Sequence, residues 1–318
     1  MNSKLSRMLS LVITATAATI AVTSALMYTS SEEIFQKKEI FYLLVIITIT
    51  VMITTALLQI VYTTNRNPFS ITLSLLGFPE VGKTVFLTML FEELQKMQGN
   101  HVNFSPYGSE TIERIMNDVS TLRNNEWLPR TSMNQVFYYR AFATLNSLPP
   151  ILRAKKKFKI EIADYAGEHI DQFNPQKENW LHKTEYFQYA LQSDAVFLAL
   201  DTDKFLRDKE FYQRDIDGLI AAIQILAEKK GAFHGEKAEE PIAILFLKSD
   251  LLDGGEKEDS VLRETDRLIS ICRNRFQSVQ HFFVSSTGEL RDGELTSKLE
   301  PTNVVEPLLW LLSKSRVN

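Results

Sequence analysis

Eight consecutive residues near position 80 have the types and spacing of a loop that binds phosphate groups. They read GFPEVGKT, with glycines at Gly77 and Gly82 followed by Lys83 and Thr84. A loop of this kind turns its backbone N–H groups inward around phosphate oxygens, and the helix that follows adds a positive field. The lysine reaches the outer phosphates and the threonine hydroxyl is a ligand for Mg²⁺. The stretch therefore predicts a nucleoside triphosphate site.

A second stretch, KIEIADYAGEH, ends a predicted strand at Asp164 and continues to Gly167. A carboxylate at a strand end can hold Mg²⁺ through water, and a glycine N–H can contact the γ-phosphate. Asp-x-x-Gly is common by itself. Its position after a phosphate loop is what makes it informative, and it predicts a turn that senses the γ-phosphate.

Two further strand ends carry polar residues suited to a nucleobase. The stretch LFLKSDLL places Lys248 and Asp250 after a buried strand, and FFVSSTGE places Ser285 and Ser286 after another. A carboxylate accepts from the N1–H and 2-amino groups of guanine together, whereas adenine offers no such donor pair. The stem of the lysine can lie along the base, and the serine loop can offer an N–H to the guanine oxygen. This pattern favours GTP.

The elements that must position these residues alternate along the chain. Continuous apolar runs such as AVFLAL and IAILFL are typical of strands buried on both faces of a parallel sheet. The six predicted strands are 71–76, 135–142, 157–163, 195–201, 242–248 and 281–285. A first helix begins at the Gly82–Thr84 turn, and the others cover 108–123, 176–193, 208–228, 258–276 and 304–316. This alternation predicts a doubly wound α/β domain over residues 68–318.

The order GFPEVGKT, DYAG, LKSD and SST resembles the Ras-like P-loop GTPases of the translation-factor-related (TRAFAC) class. The stretches GFPEVGKTVFL, EWLPRT and DYAGE further resemble the prokaryotic double-GTPase branch. The resemblance covers about residues 70–316. It implies a Ras-like, mostly parallel six-stranded sheet, binding of GTP or GDP with Mg²⁺, and hydrolysis of GTP.

The resemblance also implies a threonine that closes over the γ-phosphate and Mg²⁺. Thr131 in NEWLPRTS is the candidate because it lies in a predicted loop just before a strand, with Thr121 and Thr144 as alternatives. Its neighbour Arg130 is either an arginine finger acting in cis or a solvated loop residue. Glu168 stands where many relatives carry a glutamine that orients water, and a carboxylate there is repelled by the γ-phosphate. We therefore expect slow intrinsic hydrolysis.

The predicted site has three sets of residues. The catalytic set comprises Lys83, Arg130, Thr131, Gly167 and Glu168. The metal ligands are Thr84, Thr131 and Asp164. The nucleotide contacts are Gly77, Glu80, Val81, Gly82, Lys83, Thr84, Val85, Lys248, Asp250, Ser285 and Ser286. One departure bears on this set: Leu247 occupies a position where relatives carry Asn or Thr, side chains that brace the phosphate loop.

The N-terminal region has a different composition. No charged residue lies between Arg7 and Glu32, and none lies between Glu39 and Arg66. Both stretches exceed the roughly 20 residues that a helix needs to cross a bilayer. They predict transmembrane helices at 8–30 and 39–63, the first of which is alternatively a signal peptide.

The charges that flank the first span predict the topology. Lys4 and Arg7 precede it, and the positive-inside rule places them in the cytosol. Two crossings then return the chain to the cytosol, so the GTPase domain is expected on the cytosolic face of a membrane, a bacterial inner membrane in our interpretation. A cleaved signal peptide followed by one span gives the same side.

Composition excludes several other classes of protein. The chain has 318 residues with a net charge of −4, so no basic surplus points to nucleic acid. Its one cysteine, Cys272, cannot form an internal disulfide or a multi-thiolate zinc site. The expected partners are a guanine nucleotide, the membrane, and a protein effector or activator whose identity the sequence does not reveal.

Four functions remain open at this point. The first is a membrane-anchored GTPase switch. The second is an ATPase or general nucleoside triphosphatase, for which Leu247 leaves room. The third is a non-hydrolysing scaffold that binds nucleotide for stability, for which Glu168 is the main hint. The fourth is a membrane assembly protein whose GTPase domain gates oligomerisation, which the Ala- and Thr-rich first span would suit.

Overall fold

The computed structural model describes residues 47–51, 53, 68–97, 102–129, 136–146, 155–165, 185–231, 236–252, 255–288, 295 and 298–315. The chain divides into two compact units. The larger comprises 68–145 and 157–317, and the smaller comprises 1–67, 146–156 and the last residue. The predicted spans 8–30 and 39–63 fall outside the described residues except for 47–51 and 53, which are helical. Across the part of the chain that is described, no helix has the length and apolar character that a membrane crossing requires.

A seven-stranded, mostly parallel sheet forms the centre of the larger unit. Its strands run in the order β2-β3-β4-β1-β5-β6-β7. The β1–β4, β1–β5, β5–β6 and β6–β7 pairs are parallel, and the β2–β3 pair is antiparallel. The bounds are β1 Phe69–Leu76, β2 Val102–Pro106, β3 Val136–Asn146, β4 Lys155–Tyr165, β5 Ala195–Asp201, β6 Ile242–Leu247 and β7 Val279–Val284. The predicted α/β class is confirmed.

The prediction of six strands was wrong by one. The additional strand, β2, lies at the edge of the sheet and pairs only with β3 among the described strands. It is five residues long and ends at Pro106. Alternation of apolar and polar residues over only five positions does not distinguish a strand from a loop. A proline weakens the prediction of a strand further, although edge strands tolerate proline.

Seven helices accompany the described strands. They are α1 Lys83–Lys96, α2 Ser109–Arg123, α3 Glu185–Gln192, α4 Thr202–Arg207, α5 Lys209–Lys229, α6 Gly255–Arg275 and α7 Glu306–Lys314. The short α4 was not predicted. It begins directly after β5, where the Asp201 side chain accepts a hydrogen bond from the Asp203 N–H and so caps the helix.

Two apolar clusters fill the space on the two faces of the sheet. Every residue of β5 is buried. Successive side chains point to opposite faces of the sheet, so Phe197 lies in one cluster and Leu198 in the other. Helices α1 and α7 pack in the first cluster, and α5 and α6 in the second. Because the two faces are covered, polar chemistry is left to the ends of the strands. Parallel strands present their carboxyl ends at one edge, where ligands bind in folds of this class.

Candidate nucleotide site

The predicted phosphate loop lies between the end of β1 and the start of α1. Gly77 is buried against β5, and a Cβ there would lie 2.9 Å from the carbonyl oxygen of Ala199. Gly82 has φ 97°, in the left-handed region that favours glycine. Both glycines are therefore required by the backbone path itself. The loop residue Glu80 also has a positive φ, of 64°.

Lys83 is buried beneath this loop. Its Nζ donates to the carbonyl oxygens of Gly77 and Phe78, each at 2.8 Å, so the lysine ties the loop to the start of its own helix. Burial lowers the pKa of Lys83 to about 8, while Asp164 acts to raise it and Lys204 to lower it further. A buried cation held mainly by carbonyl dipoles is a strong attractor for phosphate oxygens.

Asp164 and Thr84 meet although 80 positions separate them in the chain. β4 runs parallel to β1, with Ala163 opposite Ser74, so β4 delivers Asp164 to the side of the phosphate loop. The Thr84 hydroxyl donates to Asp164 Oδ2 at 2.8 Å. Asp164 Oδ1 is buried and has no hydrogen-bond partner within the described structure. Burial raises the pKa of the Asp164 carboxyl, and Lys83 and the Thr84 hydroxyl oppose that rise.

The other predicted contact residues of the phosphate loop differ in their burial. The side chain of Val81 is buried, and that of Val85 packs partly buried against the same cluster. Glu80 is exposed. Contacts from the two valines to a phosphate would therefore come from their backbone N–H groups. We call residues 77–84 together with Asp164 the phosphate half of the site.

The second part of the site lies at the ends of β6 and β7. The Ser285 hydroxyl donates to Asp250 Oδ1 at 2.6 Å, and the Gly288 N–H donates to Ser285 Oγ at 3.0 Å. Ser286 follows in the chain and is half-buried. The structure therefore brings Asp250 and Ser285 together, as a base site at these strand ends requires. We call Lys248, Asp250 and Ser285, with their supports, the base half.

Lys248 links the base half to the phosphate half. Its Nζ donates to the carbonyl oxygen of Glu80 at 3.2 Å and pairs with Asp201 Oδ2 at 2.7 Å. The preceding residue, Leu247, is buried in the core at 1% exposure. Its side chain supplies no polar contact to the loop, so the connection between the two halves runs through Lys248 and Asp201.

Four residues in or beside the site were not predicted from the sequence. Asp201 ends β5, Thr202 begins α4, and both contact the end of β6. The ring of Phe78 packs against Gly218 of α5. Lys204 pairs with Asp215 at 2.8 Å and lies 5.9 Å from the centroid of the Phe78 ring. The polar pair that closes the apolar run AVFLAL was a usable signal for the first two, because sites of this fold class form at such strand ends.

Several predicted residues fall outside the described structure. They are Arg130, Thr131, Gly167 and Glu168. The two alternatives to Thr131 are described, and both lie in regular structure. The Thr121 hydroxyl donates to the Asn117 carbonyl within α2, and Thr144 pairs with Asn103 in the β2–β3 ladder.

Comparison with protein families agrees with the resemblance found in the motifs. The family described as Double-GTPase 2 matches residues 71–311. Curated protein sequences give no match. Among solved structures the chain is similar to the Arl6 BBS3 small GTPase from Trypanosoma brucei with bound GppNp. That likeness has 14% identity and a TM-score of 0.39 over 77% of this chain and 97% of that one.

The family match extends from the third residue of β1 into α7 and so includes both halves of the site. It spans well over half of the 318 residues. The sequence-based prediction of a Ras-like P-loop GTPase of the double-GTPase branch is thereby confirmed at the level of the family. The chain belongs to the Double-GTPase 2 family.

Proposed function

We propose that this protein is a membrane-anchored GTP-binding switch that hydrolyses GTP slowly with Mg²⁺. One observation carries the proposal. At a single edge of the sheet, a phosphate loop containing a buried Lys83 is joined through Lys248 to an Asp250–Ser285 pair. The first feature suits a polyphosphate and the second suits guanine, and the link holds them as one site.

The oxygen pair formed by Thr84 and Asp164 suits Mg²⁺. A hydroxyl and a carboxylate are hard oxygen ligands, and Asp164 Oδ1 is buried without a partner among the described residues. Among the described residues, no group of three or more His, Cys, Asp or Glu side chains is arranged so that it could hold a metal ion by itself. Beside nucleotide phosphates, Mg²⁺ typically takes only one or two protein ligands, and it would supply positive charge that neutralises the phosphates. Thr84 and Asp164 would hold that ion against the loop.

Guanine selectivity is assigned to Asp250. Its Oδ1 is already held by the Ser285 hydroxyl, which orients the carboxylate at the end of β6. A fixed carboxylate accepts from the N1–H and 2-amino groups of guanine, and adenine lacks this donor pair. Ser286 and the Gly288 turn complete the loop that would face the guanine oxygen.

Hydrolysis is assigned to Arg130, Thr131, Gly167 and Glu168, which lie outside the described residues. Thr131 and the Gly167 N–H would contact the γ-phosphate, and Arg130 would spread its charge in the transition state. Glu168 would accept a hydrogen bond from the attacking water, although repulsion from the phosphate makes this slow. Turnover of Glu168→Ala and Arg130→Ala tests the assignment. Rates equal to wild type in both variants would remove both residues from the chemistry.

Membrane anchoring rests on the predicted spans 8–30 and 39–63, in which Glu39 is the one charged residue. We propose that they place the GTPase domain on the cytosolic face of a bacterial inner membrane. There the loops at 125–135 and 164–180 would report the bound nucleotide to a protein partner. Protease digestion of spheroplasts and of inverted vesicles tests this topology. Cleavage of the domain from outside intact spheroplasts would contradict it.

The decisive experiment is a nucleotide titration of the full chain, purified in mild detergent with Mg²⁺. Fluorescent GDP, GTP, ADP and ATP analogues are compared, and phosphate release from GTP is then followed. Guanine-selective binding with slow release supports the switch. Equal or tighter adenine binding would instead favour the general nucleoside triphosphatase, and guanine binding without any release would favour the non-hydrolysing scaffold.

A further inference from the structure

We propose that Asp201, the last residue of β5, and Thr202, the first residue of α4, are positioning residues that set the geometry of the base half. Neither has to touch the nucleotide to do this. They hold the backbone and side chain of Lys248 so that Asp250 is presented toward its ligand and the base half stays joined to the phosphate loop. The inference rests on the proposed guanine site at Asp250.

The backbone of Lys248 needs such support. Its φ of 61° and ψ of 37° lie in the left-handed region, which is unfavourable for a residue with a side chain. This conformation turns the chain out of β6 into the short helical turn Ser249–Leu251, which carries Asp250. The direction of the Asp250 carboxylate therefore depends on a strained residue that its surroundings must hold in place.

Thr202 holds that residue through its hydroxyl. Its Oγ1 lies 2.7 Å from the carbonyl oxygen of Leu247 and 2.7 Å from that of Lys248, and the side chain is fully buried. One proton is shared between the two carbonyls. The β5–β6 ladder ends at the pair Asp201–Leu247, so the hydroxyl continues the pairing one residue beyond the last strand position. The Thr202 hydroxyl thereby fixes the two peptide units on either side of the Lys248 Cα.

Asp201 holds the side chain of the same lysine. Its Oδ1 accepts from the Asp203 N–H at 2.9 Å, and its Oδ2 pairs with Lys248 Nζ at 2.7 Å. With one oxygen fixed by the α4 cap and only 4% of the residue exposed, the carboxylate cannot swing away from the lysine. Lys248 Nζ is thereby held where it also reaches the Glu80 carbonyl of the phosphate loop.

The apolar residue at position 247 makes this arrangement necessary. The Leu247 side chain is buried in the same cluster as Val81 and Leu245 and cannot donate a hydrogen bond. Polar contacts at the end of β6 must therefore come from neighbouring elements. β5 is the neighbouring strand on the phosphate-loop side; its last residue supplies a carboxylate, and the first residue of α4 supplies a hydroxyl.

The test compares three ligands on the full chain. GDP contacts both halves of the site, and inorganic pyrophosphate contacts the phosphate half alone. IDP lacks the 2-amino group of guanine, from which Asp250 is proposed to accept a hydrogen bond. Thr202→Val keeps the branched shape and removes the hydroxyl. We expect it to lower GDP affinity by about tenfold, the typical effect of a lost buried hydrogen bond. The GDP:IDP affinity ratio should fall toward one, with pyrophosphate affinity unchanged.

Matched variants distinguish positioning from general stability. Thr202→Ser retains the hydroxyl and should keep the wild-type GDP:IDP ratio. Asp201→Asn preserves an oxygen for the α4 cap but loses the ion pair with Lys248, and it should lower the ratio as Thr202→Val does. Asp203→Asn changes an acid two positions further on, whose side chain pairs with the exposed Arg207, and should change nothing. If Thr202→Val does not fold, Asp201→Asn carries the same test.

Each outcome decides the matter. Wild-type GDP:IDP ratios in Thr202→Val and Asp201→Asn would overturn the inference. An equal loss for GDP, IDP and pyrophosphate would also overturn it, because it would indicate general loosening of the domain. A wild-type chain without any guanine preference would contradict the proposed function itself, and the inference would fall with it. That result is distinguishable because it appears before any variant is made.

Discussion

The two halves of the candidate site differ in how their residues are distributed along the chain. The phosphate half takes its residues from one stretch, 77–84, and only Asp164 comes from elsewhere. The base half is assembled from the ends of three strands: β5, β6 and β7. The first is built mainly by the backbone path and one helix start. The second depends on side-chain contacts between strands, so changes that do not touch the ligand should disturb it more.

The two lysines show the same difference electrostatically. Lys83 is buried at 6% exposure, and its hydrogen bonds run to two carbonyl oxygens of its own loop. Lys248 has a side chain that is 34% exposed and is paired with the buried Asp201 carboxylate. The charge of Lys83 is therefore available for an anionic ligand, whereas the charge of Lys248 is already balanced by the Asp201 carboxylate. This predicts that Lys83 acts on the phosphates and Lys248 acts mainly as a connection.

The largest expected effect is that of Lys83→Ala. It removes the buried cation and leaves the Gly77 and Phe78 carbonyls without their donor. We expect the affinity for GDP and for pyrophosphate to fall by roughly 100-fold or more, as for the loss of a buried charged partner. Titration calorimetry measures both. Lys96→Ala, a surface lysine at the other end of α1, is the control. A loss confined to GDP would contradict the assignment.

Asp250→Asn should act on the base half alone. An amide cannot accept both guanine donors, but its NH₂ can donate to the 2-oxo group of xanthine. We expect GDP affinity to fall by about 10- to 100-fold, XDP affinity to rise, and pyrophosphate affinity to stay at the wild-type value. Competition of each ligand against a fluorescent nucleotide gives the three values. Unchanged GDP binding would show that the end of β6 is not a base site and would weaken the distinction between the halves.

The same distinction explains how much of the molecule could be predicted from the sequence. The apolar runs of β5 and β6 predict buried parallel strands because both faces of each strand lie in the core. The phosphate loop is readable because its chemistry is contained in eight neighbouring residues with two glycines in required positions. Local sequence is sufficient where local backbone makes the site.

The support for the base half was not predictable in this way. Thr202 bonds to carbonyls 45 and 46 positions away, and Lys248 to one that is 168 positions away. The pairing register of two distant strands cannot be inferred from a single sequence, so the sequence does not indicate which of their polar residues come into contact. The sequence shows an apolar residue at Leu247, but the support that Thr202 gives to this strand end follows only from the pairing of Asp201 with Leu247 in the sheet.

The pKa of Lys83 gives a smaller, graded test of the phosphate half. Burial lowers that pKa to about 8, so the lysine loses its proton as the pH rises through this value. Phosphate favours the protonated form, and affinity should follow the protonated fraction, falling by about tenfold between pH 7 and pH 9. GDP titrations in EDTA isolate this effect from the Mg²⁺ binding that we propose at Asp164. A flat profile would place the titration of Lys83 outside this window, and Asp250→Asn should keep the wild-type slope.

Gly218→Ala should have the smallest effect and should again separate the halves. A Cβ there would lie 2.7 Å from the tip of the Phe78 ring, so the ring and the loop that carries it must shift. Overpacking of about 1 kcal/mol corresponds to roughly fivefold weaker binding, while alanine favours the α5 helix by a similar amount. We therefore expect GDP and pyrophosphate affinity to fall together with the melting temperature nearly unchanged. The control is Gly255→Ala at the start of α6, where no described atom lies within 4 Å of the added carbon. A selective loss of GDP over pyrophosphate would mean that Phe78 acts through the base half, and the two halves would then be coupled from both sides of the loop.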